Sequence, residues 1–167
     1  MEQQWFVPPI LALVGETERA RRMTAALVKS TPRNTVVNAM TVPFVAGLSG
    51  WHEHRPAAAL AALLRGPQAA QVTPDWRLYV GLAHEQAGSH AEAIASFREG
   101  LKHLQVLPPV SDWARPVLRV SLARALATSG DVAGARQAYE EFFKYWDKAD
   151  ADAPLLVTAK REYAALR

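Results

Sequence analysis

The segment His52-Glu53-His54 is the densest grouping of metal-ligating side chains in this sequence. Two imidazoles and a carboxylate suit zinc. The spacing, however, is not that of HExxH, whose histidines stand one helical turn apart, and no other ligand-rich segment lies nearby in sequence. The segment reads as an ordinary loop. His84, His90 and His103 are scattered over helical stretches and form no motif. Asp112, Asp131 and Asp152 stand where helix caps belong, so their carboxylates are expected to accept from backbone N–H groups. No serine sits in a nucleophile elbow. The chain has no cysteine, which excludes disulfides, thiolate zinc sites and cysteine nucleophiles but leaves the redox compartment open. No catalytic residue, metal or cofactor is assigned, and no enzyme is expected in this chain alone.

The elements carrying these side chains follow from a repeated pattern. Gly15 precedes Ala20 by five residues, as Gly88 precedes Ala93 and Gly130 precedes Ala135. Phe97 and Tyr139 follow the last two glycines by nine residues, and Gly81 and Ala123 precede them by seven. Pro32 is the late signal after Gly15. The pattern is a helix–turn–helix unit: a small residue where the helices cross, a turn glycine, then a small residue and an aromatic four apart on one face. Self-similarity of this kind marks a helical repeat array.

The stretches Trp76–Leu104 (WRLYVGLAHEQAGSHAEAIASFREGLKHL) and Arg119–Trp146 (RVSLARALATSGDVAGARQAYEEFFKYW) resemble tetratricopeptide (TPR) repeats. A weaker copy runs from Trp5 to Pro32. A degenerate one covers Thr41–Gly66, where His54 replaces the turn glycine and Ala59 and Leu63 take the small and large places. The anchors 15, 54, 88 and 130 are 39, 34 and 42 residues apart. The family repeat is about thirty-four long, so two loops are lengthened. The resemblance implies an all-α, TPR-like helical solenoid of about four helix-turn-helix repeats plus a C-terminal capping helix. It would form a single domain over 1–167, with repeats at about 1–33, 35–67, 74–107 and 112–147 and a cap at 154–166. About nine helices would stack as antiparallel pairs in a right-handed superhelix, with Phe97 and Tyr139 plugging the space between neighbouring repeats.

A narrower resemblance concerns GDVAGARQAYEEFFKYWDKADADAPLLVTAKREYAAL. It is similar to the end of the repeat region that follows the kinase domain in many bacterial eukaryotic-like serine/threonine kinases. NTVVNAMTVPFVAGL is similar to the second repeat of such regions, mid-helix proline included. The resemblance implies a fragment or stand-alone relative, since no glycine-rich phosphate loop, HRD or DFG is present. The chain would then begin inside a repeat, through excision from a longer protein or an early start site.

Composition agrees with a helical domain. Half of the 167 residues are hydrophobic, 21% are charged, and the net charge of +3 is too small and spread out to imply nucleic acid. Arg19, Arg21 and Arg22 read as a solvated face. No segment reaches the roughly 18 apolar residues of a membrane span, and the N-terminus lacks a basic lead and is too short in apolar residues for a signal peptide. No membrane insertion is expected. The location is cytoplasmic, or extracytoplasmic if the module belongs to a membrane-spanning kinase.

Local signals place helices at about 9–14, 17–30, 35–49, 56–66, 75–87, 90–104, 113–128, 131–146 and 154–166. Pro43 falls inside the third and would cost about 3 kcal/mol in a straight helix, so a kink or two short helices are expected. Residues 66–74 read as a loop. Pro108-Pro109-Val110-Ser111 is the next break, with Ser111 or Asp112 as cap. Residues 147–153 are a polar linker, after which Leu155, Ala159 and Tyr163 would meet Phe142, Phe143 and Trp146.

In the TPR family the first helix of each pair lines a concave face. Spacing from the anchors puts there Trp5; Thr41, Phe44, Leu48, Trp51 and His52; Asp75, Leu78, Tyr79, Leu82, Glu85 and Gln86; and Ser121, Arg124 and Thr128. The Lys and Asn with which some members clamp a C-terminal carboxylate are missing, so that activity does not carry over. Phe44, Leu48, Trp51, Asp75, Tyr79, Leu82, Glu85, Gln86, Arg124 and Thr128 form the candidate groove, suited to an amphipathic helix or extended apolar peptide. The expected function is a protein–protein interaction scaffold with a protein or peptide partner. The alternative is self-association into a homo-oligomer through the first-repeat edge, where Trp5 and Phe6 would be sticky.

Overall fold

The computed structural model of the protein describes residues 4–102 and 113–167. Among the described residues there are ten α-helices, one π-helical turn and no strand. The helices are α1 (Val7–Leu13), α2 (Thr17–Ser30), α3 (Val42–His52), α4 (Pro56–Leu63), α5 (Gln68–Gln71), α6 (Pro74–Gln86), α7 (His90–Lys102), α8 (Ala114–Thr128), α9 (Val132–Tyr145) and α10 (Pro154–Ala165). The chain divides into two compact units, Met1–Val72 with α1–α5 and Thr73–Arg167 with α6–α10. The expected break at 108–111, the alternative caps Ser111 and Asp112, and His103 lie outside the described residues.

Four turns between consecutive helices are built alike. α1, α3, α6 and α8 each end beside a residue in the left-handed region: Gly15 (φ +84°), His54 (+53°), Gly88 (+75°) and Gly130 (+87°). In every case its N–H donates to the carbonyl three residues back, and the next N–H donates to the carbonyl five back. Gly88 N–H reaches Glu85 at 3.0 Å and Ser89 N–H reaches His84 at 2.9 Å; Arg55 N–H reaches Gly50 at 2.8 Å in the turn that His54 makes. This pairing satisfies the last free carbonyls of the first helix and reverses the chain. The following residue starts the second helix, its carbonyl accepting from Ala20, Ala59, Ala93 or Ala135. All four alanines have zero exposure, because nothing larger than a methyl fits where the second helix folds back.

A second contact sets how closely each pair packs. A Cβ on Gly81 in α6 would fall within the Phe97 ring from α7, and one on Gly47 in α3 would stand 2.5 Å from Leu63 Cγ in α4. Both glycines lie seven residues before their turn, and both large partners nine after it. Ala123 and Tyr139 occupy the same places in α8 and α9 and are fully buried. Phe97 therefore packs within its own helix pair and is fully buried. Gly47 escaped the sequence pattern altogether. Gly50 deepens the same approach, since its Cβ would lie 2.9 Å from the Ala59 backbone nitrogen.

Two elements differ in part from expectation. At Pro43 the helix does not split into two short ones; the expected distortion takes the form of a π-helical turn, Val37–Thr41, that runs directly into α3, and Val42 N–H donates to Val37, five residues back. Widening the turn just before the proline accommodates a residue that has no N–H to give. The expected loop at 66–74 contains α5, closed by Ala70 and Gln71 N–H groups on the Pro67 carbonyl. At the start, Pro8 and Pro9 lie in the first turn of α1, where a missing N–H costs nothing.

The two kinds of glycine should respond differently to substitution. Gly88 and Gly130 have no atom within 4 Å of an added Cβ, so Gly88→Ala should cost only the left-handed backbone penalty, about 1–2 kcal/mol. Gly81→Ala must displace a buried ring, and the overpacking, about 1–3 kcal/mol, should exceed its gain in helix propensity of about 1 kcal/mol. Phe97→Ala should cost about 3–5 kcal/mol. Urea melts of the three variants check these values.

Candidate interaction surface

Several of the residues that first suggested chemistry are engaged structurally, whereas Asp152 does not cap α10, whose N-cap is Ala153 with no side-chain hydrogen bond. Glu53 pairs with Arg21 at 2.6 Å and also with Arg55. The His52 ring packs edge-on against Trp51 at 4.7 Å and lies beside Gly15. His54 makes a turn. His90 Nδ1 stands 3.0 Å from Glu85 Oε1. The Asp131 carboxylate accepts from Gly134 N–H at 2.9 Å, which caps α9.

The candidate groove residues separate into packing and surface groups. Phe44, Leu48, Leu78, Tyr79 and Ser121 are buried, with Leu48 at 0% and Tyr79 at 6% exposure; their expected role as groove lining gives way to core packing. Thr41 is also buried, and its hydroxyl donates to the Trp5 carbonyl at 3.3 Å, which ties the start of α1 to the π-helical turn. Trp51 in the first unit and Asp75, Leu82, Glu85 and Gln86 in the second are partly exposed, and Thr128 is exposed. Thr128 donates back to the Arg124 carbonyl at 2.9 Å.

Arg124 is occupied. Its Nε donates to Glu162 of α10 at 3.0 and 3.2 Å, and the Tyr139 hydroxyl donates to the same carboxylate at 2.9 Å. Nearby, Tyr163 donates to Glu140 at 2.8 Å, and Arg136 donates to the Leu166 carbonyl at 2.5 Å. The Tyr163 ring meets Phe143 edge-on at 5.6 Å. α10 buries Leu156 and Ala159, so Leu156 takes the place expected of Leu155. Arg124 thus belongs to the attachment of the last helix.

Burial, and then the nearby Asp75 carboxylate, push the Tyr79 phenol up from 10.0 to about 12. Burial and then the hydrogen bond to Glu162 push Tyr139 up as well.

Sequence reasoning missed a cleft of about 500 Å³ within the first unit. α2 supplies Arg21, Thr24, Ala25, Val28 and Lys29, and α3 supplies Val42, Val45 and Ala46. The α2 residues recur at helical spacing, which is the signal that could have exposed it. A cleft of about 280 Å³ in the second unit runs between α7, α8 and α9 past Leu101, Leu122 and Leu126. A third, of about 380 Å³, lies where Arg119 stacks 4.4 Å over Tyr145. Separately, α1 exposes Phe6, Ile10 and Val14, four residues apart, with Trp5 against Phe6 at 6.1 Å. No described helix is long and apolar enough to cross a membrane.

Compared with known protein families, curated proteins and solved structures, the chain has no match.

The raised phenol values predict alkaline sensitivity. A buried neutral tyrosine contributes stability that is fully present below pH about 10 and is lost as pH rises toward 12. Denaturation midpoints should fall across that window, and Tyr79→Phe should make the fall shallower. An equally steep fall in the variant would contradict the assignment.

Proposed function

We propose that the chain is a TPR-like helical-repeat module that binds a protein or peptide partner, as part of a larger bacterial signalling or regulatory protein. The observation that supports this most is the fourfold recurrence of one turn, with its left-handed residue, paired hydrogen bonds and buried alanine, at spacings close to the family's repeat. The partly exposed Trp51, Leu82, Glu85 and Gln86, on first helices of their pairs, give such a module side chains that a partner can reach from solvent. The reading includes no catalytic step.

Affinity capture with wild type, Trp51→Ala and Leu82→Glu tests it, with thermal melts alongside. Partner recovery should fall several-fold in at least one variant whose melt is unchanged. Equal recovery in both would remove the first-helix face from consideration.

A second reading has its own support in the apolar stripe on α1. Phe6 is 49% exposed, Ile10 52% and Val14 70%, which would suit stacking against a second copy. Light scattering over a concentration series should then show a dimer that Ile10→Asp disrupts. A concentration-independent monomer would contradict it.

A further inference from the structure

We propose that the cleft between α2 and α3 is a docking site for an acidic amphipathic helix of a partner protein, a proposal that rests on the reading of the chain as an interaction module. The cleft has an apolar floor of Ala25, Val28, Val45 and Ala46, with the exposed Lys29 at one end and Arg21, already paired with Glu18 and Glu53, at the other. Arg21 and Lys29 are eight residues apart on α2, hence about 12 Å along its axis. That length takes roughly two turns of a second helix. Small side chains on both walls keep the cleft open. In the other pairs the position nine after the turn carries Leu63, Phe97 or Tyr139; here it carries Thr24, whose small side chain is among those lining the cleft. The π-helical turn Val37–Thr41 leads straight into the α3 wall, and such turns recur at functional sites.

Charge decides the occupant. From Arg19 to His52 the sequence holds Arg19, Arg21, Arg22, Lys29 and Arg33 and no aspartate or glutamate. Both walls of the cleft fall inside that stretch. Glu18 and Glu53, which flank that stretch, hold the Arg21 guanidinium at 2.7 and 2.6 Å and offset its charge, so Lys29 supplies the free charge of the cleft. Lys29 is exposed and forms no ion pair among the described residues. An apolar trough with an unpaired lysine at one end selects a helix with apolar side chains three or four residues apart and a carboxylate toward that lysine. The apolar anchors supply affinity and the charges supply orientation and selectivity.

A peptide-display library panned against the full chain supplies the probe, and the enriched peptides are then measured by fluorescence anisotropy. Enriched sequences should combine Asp or Glu with apolar residues at helical spacing. Binding should weaken about tenfold or more in Ala25→Glu, and about fivefold in Lys29→Glu with reduced salt sensitivity. Both sites are exposed, so thermal midpoints should match wild type. Failure to enrich any peptide, enrichment of peptides without acids, or undiminished binding to Ala25→Glu overturns the proposal. Loss confined to Trp51→Ala overturns the cleft while leaving the interaction-module reading intact. Retention on phosphatidylserine vesicles that Ala25→Glu abolishes assigns the face to a membrane and overturns it also.

Discussion

Three of the four helix pairs depend on the meeting of a small residue seven positions before the turn with a large one nine positions after it; in the first pair those positions are Pro8 and Thr24. Gly81 with Phe97 and Gly47 with Leu63 show it directly, since neither glycine has room for a Cβ. A glycine inside a helix costs about 1 kcal/mol relative to alanine, and burying a Phe or Leu side chain contributes about 1.5–3 kcal/mol, which offsets it. The turn enforces the register. A left-handed residue with its two return hydrogen bonds fixes where the second helix begins, and the buried alanine fixes which face turns inward. Once both are set, the large residue one helical turn beyond the alanine has a single place to go.

Much of this was legible in the sequence because turn chemistry and small-residue spacing are local. The glycines at 15, 88 and 130 announce their own φ values. His54 was legible chiefly by register: histidine is more tolerant of that conformation than most side chains but far less so than glycine, and the same return bonds hold it there. Gly47 was not recognised because the pattern was read forward from His54. Pro43 marked a disturbance without saying which kind. A widened turn and a break place similar demands on local sequence, and packing against the neighbouring helices chooses between them.

The surface was less legible, because spacing assigns a face and does not say how deeply that face is covered. Tyr79 and Leu48 stand where groove residues stand and are buried; Arg124 stands there and is taken by Glu162. That carboxylate joins α8, α9 and α10 through one pair of oxygens, a contact across 38 residues of sequence for Arg124 and 23 for Tyr139, which no local pattern encodes. The α2–α3 cleft was missed for the opposite reason: its residues are ordinary Ala, Val and Thr, and its meaning comes from what is small there and from where acids are missing.

The central claim, that the fit between the small and large positions holds these three pairs together, is tested most directly by a double-mutant cycle at Gly81 and Phe97. Gly81→Ala, Phe97→Leu and the double variant are compared with wild type by urea unfolding. If the two positions meet as described, the smaller side chain at 97 relieves the crowding, and the double variant is more stable than the sum of single losses predicts by about 1 kcal/mol or more. Additivity within about 0.5 kcal/mol would mean that the two residues do not share a contact, and the account of how these helices pair would be wrong.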